Sequence, residues 1–171
     1  MRFTELGLRG AFIIDIERLA DERGFFARCW SEEEFTRHGL RADLKECDLS
    51  YNSTRGTLRG LHYQVAPYEE AKLVRCTQGA IFDVIVDLRP ASPTHMRWEA
   101  AELTAENRRQ LYVPEGFAHG FQSLVDGSEV FYQMSQRYSA DHARVLQWNE
   151  PRLAITWPLE PSIISRRDND Q

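Results

Sequence analysis

The chain lacks the features that would place it in a membrane, on nucleic acid or around a metal. No apolar run approaches the ~20 residues that span a bilayer, and the opening Met1-Arg2-Phe3-Thr4-Glu5 has no apolar core of the signal-peptide kind. The expectation is a soluble, cytoplasmic protein with no membrane partner. Positive charge is in deficit, with 21 Lys and Arg against 26 Asp and Glu and a formal net charge of −5. That excludes bulk nucleic-acid binding, which needs a basic surface, but leaves room for a local basic pocket that takes a small anion. Cysteine is scarce and odd in number. Cys29, Cys47 and Cys76 lack metal-type spacing and read as reduced thiols. Repeats and low-complexity segments are also missing. What is there is 171 residues, 42% hydrophobic and 27% charged, enough for one domain with a real core, expected over 1–171.

Strand signals dominate. β-rich runs occur at 11–16 and 24–30. A short helix is expected at 31–40, capped by Ser31, with Glu34 completing a capping box and Gly39 ending it. Strands then follow almost without pause, at 72–76, 80–88, 98–103, 110–113, 117–124, 129–135 and 145–148. The 80–88 segment alternates, with Phe82, Val84, Val86 and Leu88 on one face and Ile81, Asp83, Ile85 and Asp87 on the other. Turn residues at short intervals make this the all-β sandwich or barrel pattern. We read a double-sheet jelly roll with a short N-terminal helix and a C-terminal tail.

Two segments stand out, LRGLHYQ at 58–64 and PEGFAHGF at 114–121. Each places one histidine, His62 or His119, in a strand-like stretch bounded by glycine. A barrel with two inward histidines is usually a metal site. Here the other ligand positions hold Gln64 and Lys72, and a lysine ammonium repels a divalent cation and offers no lone pair. The residues therefore read as organic acid–base chemistry, without metal. Asp83 alternates with core residues and is placed to bond one of the histidines.

The spacing of these segments resembles the cupin jelly-roll family with two of its four metal ligands replaced. A closer resemblance covers nearly the whole chain in order. DERGFF at 21–26, LRGLHYQ at 58–64, KLVRC at 72–76, FDVIVDLR at 82–89, SPT at 92–94, PEGFAHGF at 114–121 and SRRD at 165–168 look like the dTDP-4-dehydrorhamnose 3,5-epimerase family. That resemblance implies a cupin-type fold and a cofactor-free epimerase acting on a nucleoside-diphosphate 4-keto-6-deoxyhexose at carbon 3, carbon 5 or both. A base removes a proton next to the ketone, an enolate forms, and an acid on the other face returns a proton. By this resemblance His62 is the base, oriented by Asp168, and Tyr132 is the acid. Neutral imidazole and a protonated phenol suit those roles near neutral pH. Lys72 and His119 would contact the enolate. Arg23 and Arg59 would bind diphosphate and sugar through paired, charge-assisted hydrogen bonds. Tyr138 would stack on the base, Arg167 keeps a family positive charge, and Phe26 joins Arg23 in serving a neighbour's site. The family pairs chains by exchanging N-terminal strands, so a homodimer is implied.

Departures gather in the nucleotide pocket, at Arg28, Cys47, Leu49, Tyr51, Arg137 and Ala143. They leave open the nucleotide and the number of carbons epimerised. Two other classes stay open on sequence, a metal-dependent cupin oxygenase or isomerase and a non-catalytic sugar-nucleotide binding module.

Overall fold

The computed structural model describes residues 1–169; Asp170 and Gln171, the end of the expected domain and tail, lie outside the described residues. The strands are β1 (Arg2–Glu5), β2 (Phe12–Asp15), β3 (Leu19–Asp21), β4 (Gly24–Phe26), β5 (Glu46–Asn52), β6 (Thr57–Gln64), β7 (Lys72–Gln78), β8 (Ala80–Asp87), β9 (Trp98–Thr104), β10 (Gln110–Val113), β11 (Phe117–Ser123), β12 (Ser128–Met134), β13 (Ala143–Val145) and β14 (Ile163–Ile164). Two short helices accompany them, α1 (Glu32–Arg37) after β4 and α2 (Arg166–Asn169) after β14. One sheet runs β1-β2-β10-β7-β12-β5. The other runs β13-β6-β11-β8-β9, with β14 added in parallel to β6. This is the expected double-sheet jelly roll. Among the described residues the two ladders do not join, so it is a sandwich rather than a closed barrel.

The core between the sheets holds Val74, Cys76, Ile81, Ile85, Leu111, Phe121 and Val130. The strand alternation at 80–88 explains how β8 works. Ile81 and Ile85 enter this inner core, while Val84 and Val86 pack outward under Leu153, Ile155 and Trp157. Both faces of β8 are therefore dry, although the segment carries Asp83 and Asp87. Asp87 survives burial because Arg89, Ser92 and Thr94 all donate to it. The SPT segment thus has a structural task.

Helix α1 covers the outer face of the first sheet, with Phe35 buried against Ile14, Leu73 and Tyr112. Removing such a ring from water stabilises by about 2–3 kcal/mol. Ser31 caps the helix, accepting from the Glu34 N–H at 3.5 Å. The reciprocal half of the expected capping box is replaced, because the Glu34 carboxylate accepts from the Met1 ammonium at 3.1 Å. Gly39, at φ +72°, ends the helix, with its N–H on Thr36 O and the Leu40 N–H on Phe35 O. The helix begins after its Ser31 cap as expected, and its last helical residue is Arg37.

Three further expectations shift. The strand at 24–30 stops at Phe26, and with β3 forms a separate two-stranded hairpin. The strand at 145–148 begins earlier, at Ala143–Val145, after which Leu146 still exchanges two hydrogen bonds with Leu61. The expected tail folds into β14 and α2. β1 and β2 extend the chain's own first sheet.

The ladder between β6 and β11 positions the site. His62 lies opposite His119 and Arg59 opposite Phe121, so β6 carries one extra residue there. A regular strand would send residues three apart to opposite faces; this bulge brings Arg59 and His62 to the same one. Glycine makes it possible. A Cβ on Gly120 would lie 2.6 Å from Arg59 O, and one on Gly60 would lie 2.6 Å from the Gly120 Cα.

Candidate active site

A cavity of about 300 Å³ opens between the sheets at one end of the sandwich. Arg59 and His62 reach it from β6, His119 from β11, Lys72 from β7 and Tyr132 from β12. Tyr138 and Arg167 stand at its mouth, where Arg167 donates to the Tyr138 hydroxyl at 3.3 Å. The structure thus brings seven of the ten expected site residues to one cavity. An eighth, Asp168, sits directly behind His62, 3% exposed.

Asp168 Oδ1 is 2.7 Å from His62 Nε2, and its Oδ2 accepts from the Gly60 N–H at 3.2 Å. Burial alone would raise the Asp168 carboxyl. The hydrogen bonds from His62, Gly60 and Ser165 outweigh that and hold it below its ordinary value. Because an ionised carboxylate only accepts, the bonded ring nitrogen of His62 carries the hydrogen. In a neutral imidazole the other nitrogen then holds the lone pair that could take a proton.

His119 repeats the arrangement more deeply. Its Nε2 is 2.7 Å from Asp83 Oδ1, and both residues are buried. The alternation of Asp83 with core residues therefore did mark a histidine partner.

Tyr132 comes from the facing sheet. Its ring packs edge-on to His119, with centroids 6.2 Å apart, and tilts against Phe121 at 6.4 Å. Burial is the main force pushing its phenol well above the ordinary value. The nearby Ser50 hydroxyl and Arg59 act in the opposite sense, and Asp83 adds to the rise. The phenol is thus firmly protonated at neutral pH. A proton acceptor on one sheet faces a proton donor on the other, with the Lys72 ammonium on the same cavity wall as the donor.

Arg59 is fixed before any ligand arrives, its Nε donating to Asn52 Oδ1 at 2.8 Å and Nη2 to Tyr51 O at 3.3 Å. Gln64, at a cupin ligand position, is committed elsewhere. It accepts from the Ser139 N–H and donates to Tyr68 O and Arg137 O. Among the described residues no cluster of His, Cys, Asp and Glu could hold a metal ion.

Arg23 and Phe26 are not brought to this cavity. They lie on the β3–β4 hairpin, where the Arg23 side chain is 84% exposed beside Asp21 and Phe26 is 70% exposed. Of the departures, Leu49 and Ala143 line the cavity, whereas Cys47 and Tyr51 are exposed outside its lining. Sequence reasoning missed Glu46, Asp48, Ser50, Glu70 and Arg144, which also line it. The first three share one face of β5, a strand hidden because that inward face is polar. The period-two spacing of Glu46, Asp48, Ser50 and Asn52 was the available signal.

Fold and cavity together define a jelly-roll enzyme of the proton-transfer kind. The family model described as dTDP-4-dehydrorhamnose 3,5-epimerase matches residues 5–171. The chain belongs to that family and is an isomerase. A dTDP-4-dehydrorhamnose 3,5-epimerase from Sinorhizobium fredii is 40% identical over 100% of this chain and 88% of its own. The enzyme of that name from Bacillus anthracis, solved with TDP and pyrophosphate bound, superposes with a TM-score of 0.94. It is 40% identical over 98% of this chain and 96% of its own. A 3'-monoepimerase from Streptomyces bikiniensis, solved with dTDP-quinovose, gives a TM-score of 0.89. Its identity is 32% over 96% of this chain and 84% of its own.

Proposed function

We propose that this chain epimerises a nucleoside-diphosphate 4-keto-6-deoxyhexose at carbon 3, carbon 5 or both, in the cytoplasm, as one catalytic domain over 1–171. The observation that carries the reading is the His62–Asp168 pair facing Tyr132 across one cavity. His62 removes the proton that the ketone has acidified, and Asp168 holds the imidazole and balances the imidazolium. Lys72 and His119 take the developing enolate oxygen. Tyr132 returns a proton from the far face, which inverts the carbon. Arg59 and Arg167 hold the diphosphate, and Tyr138 stacks on the base. No cofactor or metal takes part, since the enolate needs only the cation that Lys72 supplies.

Arg23 and Phe26 act in a partner's cavity, within a homodimer. Their support is their exposure on a hairpin outside their own chain's sheets. With β1 and β2 bonded into the chain's own sheet, the piece to be exchanged is β3–β4.

A single-carbon reaction is the second reading. The likeness to a 3'-monoepimerase favours it. One experiment decides both the nucleotide and the carbons, a wash-in from deuterated water over 4-keto-6-deoxy sugars on dTDP, CDP, GDP and UDP. Deuterium at carbon 3 or 5 on one of these supports the proposal; no exchange on any of them refutes it.

A further inference from the structure

Lys72 is one of two lysines in the chain, Lys45 being the other. Its ammonium lies 3.0 Å from Glu70 Oε1, and both side chains are 12% exposed. Glu70 Oε2 accepts from Gln64 Nε2 at 3.2 Å. Gln64 is itself anchored, by the Ser139 N–H at 2.6 Å and by Tyr68 O and Arg137 O at 3.0 and 3.1 Å. An unbroken run of bonds therefore joins the ammonium to the backbone on both sides of Tyr138.

We propose that Glu70 is a positioning residue for the epimerisation, holding the Lys72 ammonium in place on the cavity wall. This deepens the function proposed above and rests on it. Lysine is a point charge on a long flexible stem. It stabilises a developing enolate well only if its place is set before the charge appears. Among the described residues Glu70 is the one carboxylate paired with Lys72, and it lines the same cavity. Its bond to Gln64 is the dispensable one, because the Gln64 amide has two hydrogens and three acceptors. The weight of Glu70 therefore falls on Lys72. An acceptor is what that task needs, so a neutral amide should serve almost as well as the carboxylate.

The test compares Glu70→Ala, Glu70→Leu and Glu70→Gln. Leu fills the volume without an acceptor and stands in should Ala fail to fold. Turnover is followed by wash-in on the preferred 4-keto sugar. Ala and Leu should lower kcat about tenfold to a hundredfold with little change in KM, the scale of a misplaced catalytic group. Gln should recover most of the loss. In substrate-free protein labelled at lysine Cε, the Lys72 signal should shift in Ala and Leu while the Lys45 signal stays. Wild-type kcat in Ala or Leu, an equal loss in Gln, or an unmoved Lys72 signal would each overturn the inference. If the wild type turns over no 4-keto sugar, the proposed function fails, and the lysine signals alone decide whether Glu70 holds Lys72.

Discussion

Replacing Tyr132 with Phe should separate proton removal from proton return. The substitution keeps the ring and its contacts with His119 at 6.2 Å and Phe121 at 6.4 Å. Only a hydroxyl is lost, which costs about 0.5–1.5 kcal/mol of stability. A domain stable by about 5–15 kcal/mol stays folded through such a change, so a fall in rate reports chemistry. Phe has no proton to give, and losing a general acid costs ~10²-fold or more. A hundredfold fall corresponds to about 2.7 kcal/mol in the barrier, at 1.36 per decade. Inversion should drop by at least that amount. Exchange at the carbons flanking the ketone should persist, because His62, Asp168 and Lys72 are untouched. His62→Ala should abolish both, since no enolate forms. The assay is a proton NMR time course in deuterated water, with inversion and exchange read from the same spectra. Inversion by Tyr132→Phe at the wild-type rate would refute the assignment and pass the acid role to another group.

Dialysis against a chelator should leave turnover unchanged, and activity restored by one added divalent metal would contradict this. Mixing Arg23→Ala chains with His62→Ala chains should recover activity, because one cavity in a mixed dimer has both residues; sedimentation that finds an active monomer would refute the shared site. Acid should destabilise the fold through Asp87 and Asp168. Both carboxyls are held below their ordinary value of 3.8, hydrogen bonds outweighing burial. Their contribution is therefore full above that value and lost as pH falls through the lower folded values. Chemical denaturation between pH ~5 and ~3 should show a shallower loss for Asp168→Asn than for wild type, and identical slopes would remove Asp168 from the account.

Much of the fold was legible because β structure writes itself into sequence at period two. The alternation at 80–88 and the glycine-bounded histidine segments placed β8, β6 and β11. β5 escaped because its inward face is polar. A cavity lining reverses the usual rule that apolar residues point in, and hydrophobic alternation cannot see it. Glu70 escaped for a related reason, since its partner Lys72 was read by itself, as a lone cation.

By itself, the sequence determined the class of fold, most of the strands that line the cavity and the residue types offered for the proposed chemistry. The fold follows from local periodicity, and the residue roles from the resemblance to the epimerase family, whose chemistry imidazole, phenol, ammonium and guanidinium can serve. Tertiary structure alone decided their geometry. Arg59 and His62 share a face only because β6 bulges where Gly60 and Gly120 let two backbones touch. Asp168 meets His62 only because β14 pairs with β6 and brings α2 behind it. Arg23 and Phe26, read as serving a neighbour's site, stand on a hairpin away from their own chain's cavity. Sequence spacing carries no information about such long-range pairing, which depends on how the completed sheets fit together.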